Sequence, residues 1–334
     1  TFQAIQNYLA QYNQKIPLDP FYPKEATIGG IISANDSGPK RLGYGAARDN
    51  VIGLHMVYPD GTVIRSGGKV VKNVAGYDMN KIFIGAMGTL GVVSQVTLKL
   101  RPVTNYESIL LVSFPESNLE EISAFAVKVL DSMIEPISLE ILNPTLAGKL
   151  TNTNQYTLLI SLEDVKSSVH YQENVIRHLA PDKTTLLSLS GNEAKSFWDQ
   201  FYDQQPNCIT NATTTQAVLK IGVINLDVIK IIQEAALIAD TCHVSIEAHG
   251  GLGTGLCQMV ISGASDDVLS AIQLVREKAV QLGGYAIIKH LTFSLRQEIN
   301  VWGDKSSSNF LFEGMKQKID CNRILNPNRF VGGI

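Results

Sequence analysis

The stretch Ala26-Thr27-Ile28-Gly29-Gly30-Ile31-Ile32-Ser33-Ala34-Asn35-Asp36-Ser37-Gly38 concentrates residue types that can cradle a phosphate. Adjacent glycines let the backbone approach a ligand closely and aim N–H groups at it, and short hydroxyl and amide side chains add neutral hydrogen bonds. A dinucleotide pyrophosphate needs such a surface, with many oriented donors and little side-chain bulk. The same residues could equally be plain turns. Two other glycine clusters are rivals, Gly251-Leu252-Gly253-Thr254-Gly255 and Gly85-Ala86-Met87-Gly88-Thr89-Leu90-Gly91. Each runs into a segment that reads as strand, so neither offers the helix N-terminus that a Rossmann fingerprint requires. The pattern G-x-x-x-x-G-K-[ST] does not occur, which excludes a P-loop.

Candidates for acid–base work are fewer. His249 stands in a glycine-rich segment, and histidine titrates near neutrality, so it is the best candidate base. An ordinary hydrogen-bonded loop histidine is the commoner outcome for such a residue. Lys289-His290, at the end of a strand, is equally open. Arg41, Arg48 and Arg296 could each grip a carboxylate bidentately, and nothing in the sequence selects among them. Trp302 fits packing better than ligand stacking. The cysteines Cys208, Cys242, Cys257 and Cys321 are scattered and form no C-x-x-C pair. They read as small packed hydrophobes in a reducing compartment, with no disulfide framework and no metal site.

The elements that must position these residues fall into two textures. From Thr1 to Gln14 the apolar residues Phe2, Ile5, Tyr8 and Leu9 have helical spacing, and Pro17 stops the helix. Strands Val51–Val57 and Val63–Ser66 flank Pro59-Asp60-Gly61, a hairpin turn in which Gly61 can take positive φ. A short helix over about 78–84 precedes a β-like run from Leu90 to Val103. Beyond Tyr106 the order strand, helix, strand, strand, helix, strand occurs twice, over 108–187 and over 218–289, with a helical piece at 194–202 between. Each set is the split-βαβ, ferredoxin-like order. Two such units can sit side by side as one antiparallel sheet with helices on one face. A last helix at 311–319 leads into an Asn-Pro-Asn turn.

The bulk composition sets limits. The 334 residues are 45% hydrophobic and 18% charged, with a net charge of −3. That suits two well-cored domains and gives no field to attract nucleic acid or an acidic membrane. No apolar run approaches the roughly 18 residues of a transmembrane helix, and the first residues carry no signal-peptide pattern.

Several ordered blocks resemble the PCMH-type (vanillyl-alcohol-oxidase) family of FAD-binding flavoenzymes. They are Ala26-Thr27-Ile28-Gly29-Gly30, Asn35-x-Ser37-Gly38, Tyr44-Gly45-x-x-Arg48-Asp49-x-Val51-x-Gly53, Asp60-Gly61, Asn73-x-x-Gly76-Tyr77-Asp78, Gly88-Thr89-Leu90-Gly91-Val92-Val93 and Arg323-Ile324-Leu325-Asn326-Pro327-x-Arg329. Together they cover about a third of the chain. Within the family, Lys72-Asn73-Val74-Ala75-Gly76-Tyr77-Asp78, the plain Met87-Gly88-Thr89, Val301-Trp302-Gly303 and Arg329-Phe330-Val331-Gly332-Gly333 are similar to the E subunit of glycolate oxidase.

The resemblance implies an α+β protein. A PCMH-type FAD-binding domain over 1–105 would lack its N-terminal lobe, a duplicated β-α-β-β-α-β cap domain would occupy 106–299, and 300–334 would return to the first domain. It implies FAD as cofactor, with Gly29, Gly30, Ser33, Ser37 and Gly38 lining the pyrophosphate and flavin. Gly45 would lie beside them, and Gly88, Val92 and Val93 near the adenine or ribitol side. Arg48-Asp49 is expected to be a structural ion pair. The implied reaction is oxidation of a small 2-hydroxy acid, glycolate to glyoxylate, which needs a base near the hydroxyl, a cation for the carboxylate and flavin as hydride acceptor. D-type and iron–sulfur F-type subunits are the implied partners. A homo-oligomer of this chain, and a cytoplasmic location with peripheral attachment at the inner membrane through those subunits, are further expectations.

Two departures qualify this. The family's opening lobe, with its own glycine-rich loop, is expected before Thr1, so the chain alone is expected to hold FAD poorly. Catalytic members also carry a His-x-Gly-Asp-Gly-Asn-x-His motif, where Ala248-His249-Gly250-Gly251-Leu252-Gly253 keeps one histidine and the glycines but lacks the acid and the second histidine. A stand-alone D-2-hydroxyacid dehydrogenase and a scaffold subunit that has lost flavin therefore stay open as alternatives.

Overall fold

A computed structural model describes residues 1–71, 76–115, 118–204, 214–305 and 307–334. The Lys72-Asn73-Val74-Ala75 part of the family-like block and Cys208 lie outside these residues. The chain divides into two compact units, Thr1–Val103 with Asp304–Ile334, and Thr104–Gly303.

In the first unit, helix α1 (Phe2–Ala10) is capped by the Thr1 hydroxyl and buries Phe2. Strand β1 (Gln14–Lys15) follows. The glycine-rich stretch forms a helix, α2 (Ile28–Ala34), where sequence reasoning leaves a phosphate cradle and plain turns equally open. Each glycine costs a helix interior about 1 kcal/mol relative to alanine. Burying Ile31 and Ile32 returns about 1.5–3 kcal/mol each, and Thr27 caps the first turn by accepting from Gly30 N–H. Asn35 ends the helix in the left-handed region at φ 47°, which asparagine tolerates. Short helices α3 (Arg41–Tyr44) and α4 (Ala47–Asn50) lead to strand β2 (Val51–Val57). The buried Asn50 amide donates to the carbonyls of Pro17, Tyr44 and Ala46, which fixes where β2 begins. Strand β3 (Val63–Gly67) pairs antiparallel with β2 through the Asp60-Gly61 turn, Gly61 at φ 84°. After helix α5 (Asn80–Phe83), strand β4 (Val92–Leu98) takes the other edge of β2, giving the order β3-β2-β4. Strand β5 (Arg101–Pro102) pairs with β1. Ile31, Ile32, Leu54, Met56, Phe83 and Leu90 share the core beneath.

The second unit holds strand β6 (Tyr106–Phe114), α6 (Leu119–Leu130), β7 (Ser138–Leu142), α7 (Pro144–Thr151), β8 (Tyr156–Asp164), α8 (Lys166–Leu179) and β9 (Thr185–Ser190). It continues with α9 (Asn192–Asp203), β10 (Thr215–Gly222), α10 (Val228–Cys242), β11 (Ser245–Gly251), β12 (Leu256–Gly263), α11 (Ser265–Gln281) and β13 (Tyr285–His290). The sheet order is β13-β10-β12-β11-β7-β8-β6-β9, with every neighbouring pair antiparallel. Two ferredoxin-like halves meet edge to edge at β11 and β7, each contributing the second strand of its repeat.

The helices do not all lie on one face, as the repeat pattern suggests. Side chains alternate across a strand. On β11 the Cβ position of Gly250 points at Val228 of α10, whereas the neighbouring His249 packs on Phe201 of α9. Helices α7 and α9 therefore cover the face opposite α10. Helix α7 also goes unseen by periodicity, although Asn143 caps it and Pro144 occupies its first turn, a start signal in its own right.

The chain ends in the first unit with helix α12 (Asn309–Ile319). Among the described residues no helix is long and apolar enough to cross a membrane.

Candidate functional site

The first turn of α2 carries Ile28, Gly29 and Gly30. Helix geometry leaves the leading N–H groups without intrahelical acceptors, and Thr27 takes only that of Gly30. A Cβ at Gly29 would meet nothing within 4 Å, so the backbone there faces open space. At the other end of α2 the turn Gly85–Thr89 docks onto the helix. Gly85 N–H donates to Ile32 O (3.0 Å) and Met87 N–H to Ser33 O (2.8 Å). Met87 at φ 54° and Gly88 at φ 71° are both left-handed. The Oδ1 of Asn35, buried at the helix end, has no hydrogen-bond partner among the described residues.

Fold contacts account for the other family-derived positions differently. Ser37 Oγ accepts from Arg41 Nη1 at 3.1 Å. Gly38 N–H donates to Asp19 O, and a Cβ at Gly38 would lie 2.6 Å from Asp19 Oδ2. Gly45, at φ 76°, has Asp49 against it. Gly88 faces the Asn326 amide, 2.6 Å from where a Cβ would sit. Val92 is exposed on β4, and Val93 packs against the core. The structure thus brings Gly29, Gly30, Ser33 and Gly88 onto one helix and the turn docked on it. Gly38 and Gly45 are explained by close packing within the unit. Arg48 and Asp49 do not form the expected ion pair: Arg48 donates to Lys81 O (3.3 Å), and Asp49 accepts from Ala46 N–H (2.8 Å) at the start of α4.

A second set of contacts, invisible in the sequence, fixes the docked turn. Lys316 is 1% exposed, and its Nζ donates to Thr89 O (2.7 Å), Asp320 Oδ2 (2.7 Å) and Leu325 O (2.9 Å). Asp320, equally buried, also accepts from the N–H groups of Ile324 and Leu325. Burial pushes the Asp320 carboxyl up, and the Lys316 ammonium with those two N–H donors more than reverses it, leaving it below the usual range. Asn326 Nδ2 donates to Met87 O at 2.9 Å. A Lys–Asp pair four residues apart on an amphipathic helix reads as a surface pair, so composition and spacing carried no sign of this role.

In the second unit, His249 is 12% exposed and its Nδ1 lies 2.8 Å from Glu140 Oε2, itself 4% exposed. Phe201 packs on the imidazole edge-on at 4.9 Å. A cavity of about 20 Å³, room for one water, is lined by Leu146, Phe201, Gln204, Glu247, His249, Gln258 and Val260. Lys149 pairs with Glu247 at its edge. Leu252 is fully buried. No group of three or more His, Cys, Asp or Glu residues suited to a metal occurs among the described residues. His290 is half-buried, and burial, with Arg296 nearby, lowers its pKa. Arg296 donates from Nε to Leu291 O, and Arg41 from Nη1 to Ser37 Oγ.

Residues 1–67 match the FAD binding domain family. The chain carries the PCMH-type FAD-binding fold. Its cofactor is FAD, and the first turn of α2 is compatible with it: the backbone at Gly29 is open, and the leading N–H groups of the turn, apart from that of Gly30, find no acceptor among the described residues, a donor surface that suits a phosphate-rich ligand. The glycolate oxidase subunit GlcD of Bacillus subtilis is 27% identical over 329 residues, covering 94% of this chain and 70% of that protein. The glycolate oxidase subunit GlcE of Escherichia coli is 38% identical over 100 residues, 30% of this chain and 29% of that protein. A D-lactate dehydrogenase of Archaeoglobus fulgidus is 36% identical over 115 residues, 34% of this chain and 25% of that protein. Among solved structures, alkyldihydroxyacetonephosphate synthase superposes with a TM-score of 0.72 at 16% identity, covering 99% of this chain and 63% of that one.

Proposed function

We propose that this chain is the FAD-binding subunit of a glycolate-oxidising complex, converting a 2-hydroxy acid to the 2-oxo acid. The similarity to glycolate oxidase subunits and D-lactate dehydrogenases supports the substrate class. Bound FAD supplies the hydride acceptor. On this reading Ile28, Gly29 and Gly30 present backbone donors to the pyrophosphate, and the Met87–Thr89 turn supports that helix from its far end.

The observation that favours a subunit over a self-sufficient enzyme is the state of His249. Its ring is committed to Glu140 and covered by Phe201, and Leu252 and Leu256 stand where the family motif has its acid and second histidine. The Glu140 contact occupies Nδ1 alone, and without the acid and the second histidine this loop is an incomplete hydroxy-acid site; on this reading a D-type partner subunit would provide the complete one and an iron–sulfur subunit would take the electrons.

The test is purification of the chain alone and with D- and F-type partners. Flavin should be found with the full-length chain and only weakly with residues 1–334 alone, and glycolate-dependent dye reduction only with the assembled complex. Turnover of glycolate or D-lactate by the isolated chain would favour the stand-alone dehydrogenase instead. A full-length chain without flavin would favour a scaffold.

A further inference from the structure

Lys316 is a buried ammonium far in sequence from the glycine-rich helix, and the fold connects the two by hydrogen bonds joined through short stretches of chain. Its three donors meet three acceptors, Thr89 O, Asp320 Oδ2 and Leu325 O. Asn326, next in the chain after Leu325, grips Met87 O. Met87 N–H in turn holds Ser33 O, and Gly85 N–H holds Ile32 O. Those two carbonyls belong to the end of α2, whose first turn carries the open Gly29. Met87 is left-handed, a conformation that disfavours a residue with a side chain, so this turn keeps its shape only while its surroundings over-determine it.

We propose that Lys316 is a positioning residue for the cofactor: by fixing the Met87-Gly88-Thr89 turn against α2, the Lys316–Asp320 pair and Asn326 set how tightly FAD is held. The inference rests on the reading that α2 is the pyrophosphate cradle. Lys316→Met would match the length of the lysine stem but take the ammonium donor from the Thr89 and Leu325 carbonyls and from the buried Asp320 carboxylate, which keeps only the Ile324 and Leu325 N–H groups. The turn would then relax, and α2 would lose the brace at its end while its own glycines and cap stay intact. Asn326 is exposed, so removing its amide tests the same brace with little threat to folding.

The experiment uses the full chain, as wild type, Lys316→Met and Asn326→Ala. It measures the FAD dissociation constant by flavin fluorescence, and the melting temperature with and without FAD. A merely structural lysine would lower both melting temperatures and leave the FAD-induced rise unchanged. A positioning lysine raises the dissociation constant at least about tenfold and shrinks that rise, with Asn326→Ala changing both in the same direction by less. If Lys316→Met fails to fold, Asn326→Ala decides alone: weakened affinity supports the brace and wild-type affinity overturns it. Wild-type affinity in both variants overturns the proposal while sparing the α2 site. A wild-type chain with no measurable FAD affinity refutes the α2 site itself and this proposal with it.

Discussion

His249 Nδ1 and Glu140 Oε2 meet at 2.8 Å across the seam where the two halves of the eight-stranded sheet join. The seam ladder pairs His249 with Leu142, Gly250 with Ile141 and Gly251 with Glu140, flanked by Asn143 N–H to Ala248 O and Leu252 N–H to Leu139 O. A buried side-chain contact on so short a ladder is therefore a stabilising element, whatever chemistry the histidine has elsewhere in the family.

Glu140→Ala should destabilise the second unit by about 1.5–3 kcal/mol, the usual worth of a hydrogen bond to a charged group together with the stranded partner's desolvation. Urea denaturation of the purified chain measures it. A change below about 0.5 kcal/mol, the level of a neutral surface substitution, would show that the contact carries no weight.

Gly29 separates fold from cofactor. Space around its Cβ position is open, and alanine gains about 1 kcal/mol of helix propensity over glycine. Gly29→Ala should leave the melting temperature of flavin-free protein equal or raised. Gly29→Leu should fold as well, yet retain far less flavin, because its side chain occupies the room a pyrophosphate needs. Flavin absorbance per mole of protein reads this directly, and full occupancy in Gly29→Leu would remove α2 from the site.

Gly88→Ala should behave oppositely, losing stability before any ligand is considered. The residue has φ 71° and the Asn326 amide 2.6 Å from the new methyl. The left-handed conformation alone costs about 1–2 kcal/mol, and the contact forces the Asn326–Met87 bond to give. Thermal melts of flavin-free protein would show a lowered midpoint; an unchanged midpoint would contradict the packing.

Acid should loosen the tail clamp. Asp320 is held below its ordinary pKa in the fold, so the unfolded chain binds its proton first. The stabilisation is fully present above the unfolded value and is lost as pH falls through the folded one. Stability in urea between pH 7 and pH 3 should fall less steeply in Asp320→Asn, which starts lower. Parallel profiles for wild type and variant would sink the assignment.

Much of the second unit was legible because its signals are local. The strand and helix periods from Tyr106 to His290 are carried by runs of adjacent residues, and the doubled β-α-β-β-α-β order follows from them. The hairpin at Asp60-Gly61 was legible for the same reason, as its geometry depends on one glycine. Helix α2 was not, because its two glycines argue against a helix locally and only the burial of Ile31 and Ile32 reverses that. Helix α7 escaped because its short apolar pattern is weak, although its Asn143-Pro144 start was there to be read.

The sequence by itself determined the class of chemistry: the ordered blocks from Ala26 to Val93 and from Arg323 to Arg329 carried the resemblance to FAD-binding flavoenzymes. Tertiary structure alone decided which residues support those blocks. Lys316 reaches Thr89 across 227 positions, and His249 meets Glu140 across 109. Contacts of that separation leave no periodic trace, because periodicity records which way a side chain faces and not what the rest of the chain brings to meet it. Burial then fixes their meaning: the same Lys–Asp spacing is a weak solvated pair on a surface and a saturated clamp inside a core.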